Sequence, residues 1–137
     1  MTSSPQPAPG VRLLLDLTFS EAELVSLREA VAAHADAAGL DRHRTEDLVL
    51  IAHELATNAV RHGGGHGRLR LWTEENAIHC QVTDDGPGLP AVIEPRSRPD
   101  PGSAGGRGMW LVTRFADRIL INRDGRGGDV TAAVQLP

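Results

Sequence analysis

The chain has no lysine and no tyrosine, a single cysteine, two phenylalanines and two tryptophans. With aromatics at 3%, the core must be assembled from Leu, Val, Ile and Ala. The same scarcity removes the stacking platforms on which single-stranded bases rest. All 14 basic residues are arginines, set against 18 acidic ones. The resulting net charge of −4 leaves no basic footprint for a nucleic-acid backbone, so no direct nucleic-acid partner is expected. One cysteine, Cys80, excludes an internal disulfide and fits a reducing cytoplasm. No apolar run approaches membrane-spanning length, and the N-terminus has no charged-then-apolar leader pattern, so a cytoplasmic protein is expected.

What is present fits one globular domain in 137 residues, 40% hydrophobic and 23% charged. Met1–Gly10 is rich in Ser and Pro and reads as a disordered tail, which leaves 11–137 as the domain. Val11–Phe19 alternates as a strand. Ser20 and Glu23 then form a capping box for a helix reaching about Ala38, stopped by Gly39. A second helix is expected over Arg42–His62. Arg68–Glu74 and Ala77–Thr83 alternate as two strands, and Glu75-Asn76 makes a hairpin of them. A short helix over Met109–Ala116, a strand over Arg118–Arg123 and a last strand over Val130–Leu136 complete the chain.

The second helix holds the pattern that organises the rest. Glu54, Asn58 and His62 recur every four residues and share one side. Asp47, Thr57 and Arg61 join that side, while Leu48, Val49, Ala52, Leu55, Ala56, Ala59 and Val60 take the other; Leu50 and Ile51 flank the polar face. A carboxylate and a carboxamide one turn apart suit either a metal or the activation of a nucleophile, and the helix by itself leaves both open. The loop after it, His62-Gly63-Gly64-Gly65-His66-Gly67, places two histidines near one another. Without acidic or thiol neighbours it reads better as a flexible turn than as a metal site. Cys80 and His79 are adjacent in a strand, point to opposite faces and cannot share a metal.

From Asp84 the character changes. Asp84-Asp85-Gly86-Pro87-Gly88 opens an aperiodic stretch with five prolines between Pro87 and Pro101, long enough to be a functional lid. Gly105-Gly106-Arg107-Gly108 closes it and leads into the helix that starts at Met109. Free backbone N–H groups at that helix start, at the positive end of its dipole, suit a phosphate group. Neither the Walker nor the dinucleotide fingerprint is present.

The ordered set of Glu-x-x-x-Asn on a helix, Asp-x-Gly-x-Gly after a strand and a glycine loop opening a helix resembles the Bergerat-fold (GHKL) ATPases, the superfamily of gyrase and the histidine kinases. The stretch from Glu54 to Gly63 looks most like the bacterial anti-sigma-factor serine-protein kinases. The resemblance spans Val11–Pro137. It implies an α+β fold: a two-layer α/β sandwich, with a mixed, mostly antiparallel sheet covered on one face by helices, and an ATP lid over Leu89–Ser103. It also implies ATP and Mg²⁺ as cofactors. Asp84 would accept from the adenine amine, with Gly86 and Gly88 letting backbone approach the base. Asn58 would be the Mg²⁺ ligand, a hard oxygen for a hard cation, and Glu54 the base that activates the attacking hydroxyl. Gly105, Gly106, Gly108 and Met109 would cradle the triphosphate.

Three residues keep two readings each. Arg107 either touches phosphate or points to solvent, and Arg61 and His62 either steer phosphate or complement the helix dipole. One departure stands out: the family usually opens its last strand with Gly-Thr, and here Gly128 is followed by Asp129, with Thr131 as the nearest threonine. The partners implied are a sigma factor and a serine-bearing anti-sigma-factor antagonist, with a homodimer compatible and no membrane. Kinase activity is one reading. A nucleotide-binding module that engages a regulator without phosphotransfer is the other, and a catalytic domain detached from a histidine kinase is a weaker third, since Glu54 argues against phosphorylation of histidine.

Overall fold

A computed structural model describes residues 11–86, 106–122 and 127–137, the side chains of 106 and 107 excepted. The tail at 1–10, Gly88, the lid expected at Leu89–Ser103 and Gly105 therefore lie outside the described residues.

Nine residues, Arg12–Ser20, form β1. The capping box is made as read: Ser20 donates its backbone N–H and its hydroxyl to Glu23 Oε1, each at 2.7 Å. Those bonds hold the Glu23 carboxyl below its ordinary range. The first turn, Glu21–Glu23, is a 3₁₀ turn, after which Leu24–Ala37 is α-helical (α1) and Gly39, at φ +99°, ends it. Asp41 caps the long α2, Arg42–His62, by accepting from the Arg44 N–H at 2.8 Å. β2 (His66–Glu74) and β3 (Ala77–Thr83) follow, joined by Glu75 and Asn76, both with positive φ as a tight two-residue hairpin requires. The helix expected at Met109–Ala116 is α3, Gly106–Phe115; β4 is Arg118–Ile121 and β5 is Asp129–Gln135.

The strands form one sheet in the order β1-β2-β3-β5-β4. Every pair in it is antiparallel, so the expected mixed character reduces, among the described residues, to a purely antiparallel sheet. The helices cover one face, giving the two-layer arrangement. Alternation sends Leu69, Leu71, Ile78, Cys80, Val82, Val130, Ala132 and Val134 inward against Leu48, Ile51, Ala52, Leu55 and Ala59 of α2. A largely aliphatic core of this kind, with Phe19 buried in it, depends on close packing, and truncating fully buried Leu71 to Ala should cost roughly 2–5 kcal/mol. Cys80 is part of that core; burial pushes its thiol up to about 12, so it is a packing residue as read.

The opposite face is more buried than alternation suggested. Arg70 is only 1% exposed, lying in register between Asp16 and Gln81, and Gln81 is buried as well. Burial, followed by the nearby Arg68 charge, lowers the Arg70 pKa, with Asp16 and Asp129 opposing. Beside it Trp72 and His79 stack with centroids 5.4 Å apart. Among the described residues, no helix is long and apolar enough to cross a membrane.

Candidate functional site

Asp84 follows the last residue of β3 and is fixed there by backbone alone. Its N–H donates to the Gly128 carbonyl at 3.0 Å, which continues the β3–β5 ladder one step beyond the strands. Its Oδ1 accepts the N–H of Gly86 at 2.8 Å and that of Gly128 at 2.9 Å. Oδ2 has no hydrogen-bond donor among the described residues, which leaves an acceptor free for an amine. The carboxylate is enclosed so tightly that side chains are excluded around it. A Cβ on Gly128 would stand 2.6 Å from Oδ2, and one on Gly63 would meet the Asp84 carboxyl carbon.

The C-terminal half of α2 forms the next wall. Leu55, Asn58, Ala59 and His62 line a pocket together with Val82, Asp84, Gly128 and Val130, and Met109 of α3 closes it. The pocket encloses about 20 Å³, close to the space of one water. Met109, unbranched and 5% exposed, is the most pliable of its walls.

Glu54 lies one turn before Asn58 and faces the start of α3. A Cβ on Gly108 would stand 2.7 Å from Glu54 Oε1, 3.6 Å from Asn58 Oδ1 and 3.7 Å from Asn58 Nδ2. The carboxylate and the carboxamide therefore both face one point of the first turn of α3, with Glu54 Oε1 the closer of the two. No group of three or more His, Cys, Asp or Glu that could hold a metal occurs among the described residues. The donor set here is a single carboxamide oxygen with a carboxylate beside it. That suits Mg²⁺ held mostly by phosphates and water and does not suit a metal that needs a protein cage.

The residues expected from sequence thus fall into three groups. Asn58, His62, Asp84 and Met109 line one pocket, and Glu54 and Gly108 meet beside it. Gly86 holds Asp84 from below, by hydrogen bond instead of by leaving space for a ligand. Arg61 is exposed on the last turn of α2 and is not a wall of the pocket, while Gly106 and Arg107 begin α3 without described side chains. His66, across the glycine turn, sits 3.8 Å from exposed Asp85 and gathers no metal-like set.

The departure at the last strand resolves into a definite geometry. Asp129 pairs with Thr83 and turns to the outer face, where its Oδ1 accepts from Gln81 at 3.2 Å. Thr131 pairs with Gln81 on that same face. The pocket wall next to Gly128 is Val130, so neither Asp129 nor Thr131 stands beside Asp84. Sequence reasoning missed Gly63 and Gly128, which read as turn glycines; their signal is that each sits at the end of an element that must touch Asp84. It also missed the tie between Arg44, Asp47 and Asp117 at the far end of α2.

Residues 17–134 match the family described as the histidine kinase-like ATPase domain. No curated protein matches the chain. Among solved structures, the histidine kinase AdeS of Acinetobacter baumannii is similar with a TM-score of 0.53 at 17% identity, over 90% of this chain and 68% of that chain. That likeness is one of fold.

Proposed function

From the premise that this chain belongs to the histidine kinase-like ATPase family, we propose that it is an ATP-binding anti-sigma factor and serine-protein kinase that acts in a partner-switching circuit in the cytoplasm. Family membership supports the coarser part, an ATP-binding regulatory domain of kinase type. The observation that carries the finer part is the convergence of Glu54 and Asn58 on Gly108, beside a pocket that ends at Asp84.

In this reading Asp84 Oδ2 accepts from the adenine amine, with Oδ1 already engaged by two backbone donors and unable to swing away. Asn58 would offer its carboxamide oxygen to Mg²⁺, which would supply charge neutralisation at the phosphates. The first turn of α3 presents backbone N–H groups to the anion. Glu54 takes the proton of a partner's serine hydroxyl as that oxygen bonds to the γ-phosphorus and the bond to the ADP oxygen breaks. The serine comes from an anti-sigma-factor antagonist. Its unphosphorylated form displaces a sigma factor from the kinase, and phosphorylation resets the circuit.

A second reading, nucleotide binding without phosphotransfer, is favoured by one observation: among the described residues, the wall beside Asp84 presents Val130 and no hydroxyl. Incubation with labelled ATP, Mg²⁺ and candidate antagonists separates the two. Transfer to serine that disappears in Glu54→Ala supports the kinase. Tight ATP binding with no transfer to any candidate overturns it in favour of the module.

A further inference from the structure

α3 runs antiparallel to α2, and its two ends rest on different chemistry. At its start, Gly108 faces Glu54 and Asn58. The same sequence step along each helix, from Gly108 to Phe115 and from Glu54 back to Asp47, leads to a polar tie. There Arg44 Nη1 donates to Asp47 Oδ2 at 2.6 Å and to the Phe115 carbonyl at 3.2 Å. Arg44 Nη2 donates to Asp117 Oδ2 at 2.7 Å, and the same oxygen accepts the Gln135 N–H at 2.8 Å. The Asp117 N–H in turn donates to the Ala133 carbonyl at 2.9 Å. One guanidinium thus joins the first turns of α2, the last turn of α3 and, through Asp117, β5.

The arrangement suits arginine in particular. The last carbonyls of a helix have no partner within it, and a cation there complements the dipole. Only a planar fork reaches two carboxylates and a carbonyl at once. Burial disfavours the charge on Arg44, yet the Asp47 hydrogen bond and the Asp117 charge outweigh it and raise its pKa. Asp47, 8% exposed, depends on Arg44 for its one side-chain partner among the described residues. α3 packs chiefly on α2. Met109 and Val112 seat its apolar side in the core, and the Arg44 tie anchors its polar end.

We propose that Arg44 is a positioning residue for the nucleotide site: it pins the distal end of α3 and so keeps Gly108 and Met109 set against Glu54 and Asn58. Met109 can then swing aside for a base while the backbone of the first turn stays in place. This inference rests on the nucleotide-site reading above for its consequence, though not for its geometry.

The test is amide hydrogen exchange on the full chain without nucleotide, in Arg44→Gln and in Val31→Ala, which opens a cavity at a buried position of α1. Arg44→Gln should speed exchange over 106–116 by about tenfold relative to Val31→Ala, with the β2 segment alike in the two. Arg44→Lys should restore part of the protection. Asp117→Ala, which cuts the half-exposed arm of the tie together with its link to the Gln135 N–H, gives the same local pattern more weakly should Arg44→Gln not fold. In calorimetry, Arg44→Gln should weaken Mg·ATP binding by about fivefold or more while Val31→Ala leaves it unchanged. Exchange that rises evenly along the chain in Arg44→Gln, as in Val31→Ala, would overturn the proposal and make Arg44 a general stabiliser. A wild-type chain that binds no ATP would overturn the nucleotide reading, and the exchange pattern would still decide the role of Arg44.

Discussion

Gly128 donates its backbone N–H to Asp84 Oδ1 at 2.9 Å, and it approaches so closely that a Cβ in its place would stand 2.6 Å from Oδ2. The residue that fixes one carboxylate oxygen therefore also guards the other, the one free to accept from a ligand. Gly128→Ala should push Asp84 out of line without removing it. We expect ATP binding to weaken by about tenfold, the scale of one charge-assisted hydrogen bond, while circular dichroism stays native. Calorimetry that shows unchanged affinity would mean that Asp84 does not hold the base.

Gly108 is the corresponding guard on the other side. A Cβ there would press on Glu54 Oε1, the far end of a side chain that can rotate away, and would clear Asn58 by 3.6 Å. Gly108→Ala should therefore displace Glu54 and spare Asn58. The expected outcome is a phosphotransfer rate that falls by about tenfold or more with ATP affinity held within about twofold. Loss of both together would place Glu54 in binding instead of in chemistry.

The sheet face away from the helices gives a pH signature. Arg68 donates to both oxygens of Asp16, at 2.8 and 2.7 Å. Those hydrogen bonds lower the Asp16 pKa; burial opposes, and the charges of Arg68 and Arg70 add to the lowering. A carboxyl with a folded pKa below its unfolded value contributes stability above the unfolded value, about 3.9, and loses it as pH falls through the folded one. Asp16→Asn should therefore flatten the loss of stability, read by urea unfolding, as pH falls below about 4. Glu23, lowered by the Ser20 hydrogen bonds, supplies a share of the slope that remains. An unchanged slope in Asp16→Asn would show that the pair does not couple to folding.

Much of this layout could be read from residue order. The box of Ser20 and Glu23, the cap at Gly39, the Glu75-Asn76 turn and the inward Ile78, Cys80 and Val82 all follow local rules of spacing and backbone freedom. So does the shared side of Glu54 and Asn58, because one helical turn fixes it. What local rules could not supply was anything set by distant chain crossings. Alternation sets Arg70 on the face opposite Leu69 and Leu71, yet it is buried, because its cross-strand neighbours Asp16 and Gln81 come from two other strands. Asp47 read as part of the polar face with Glu54, and it is covered because α3 returns along α2 and brings Phe115 and Asp117 to Arg44. The place of Asp129 was open between two registers until its pairing with Thr83 turned it away from Asp84.

The central claim is that Asp84 and Asn58 form one nucleotide site across the pocket between β3 and α2. Titration calorimetry with ATP, in the presence and absence of Mg²⁺, tests it on three chains. Wild type should bind with a Mg²⁺-dependent gain, Asp84→Asn should bind about tenfold more weakly with that gain intact, and Asn58→Ala should lose the gain. Identical titrations for all three chains would contradict the account.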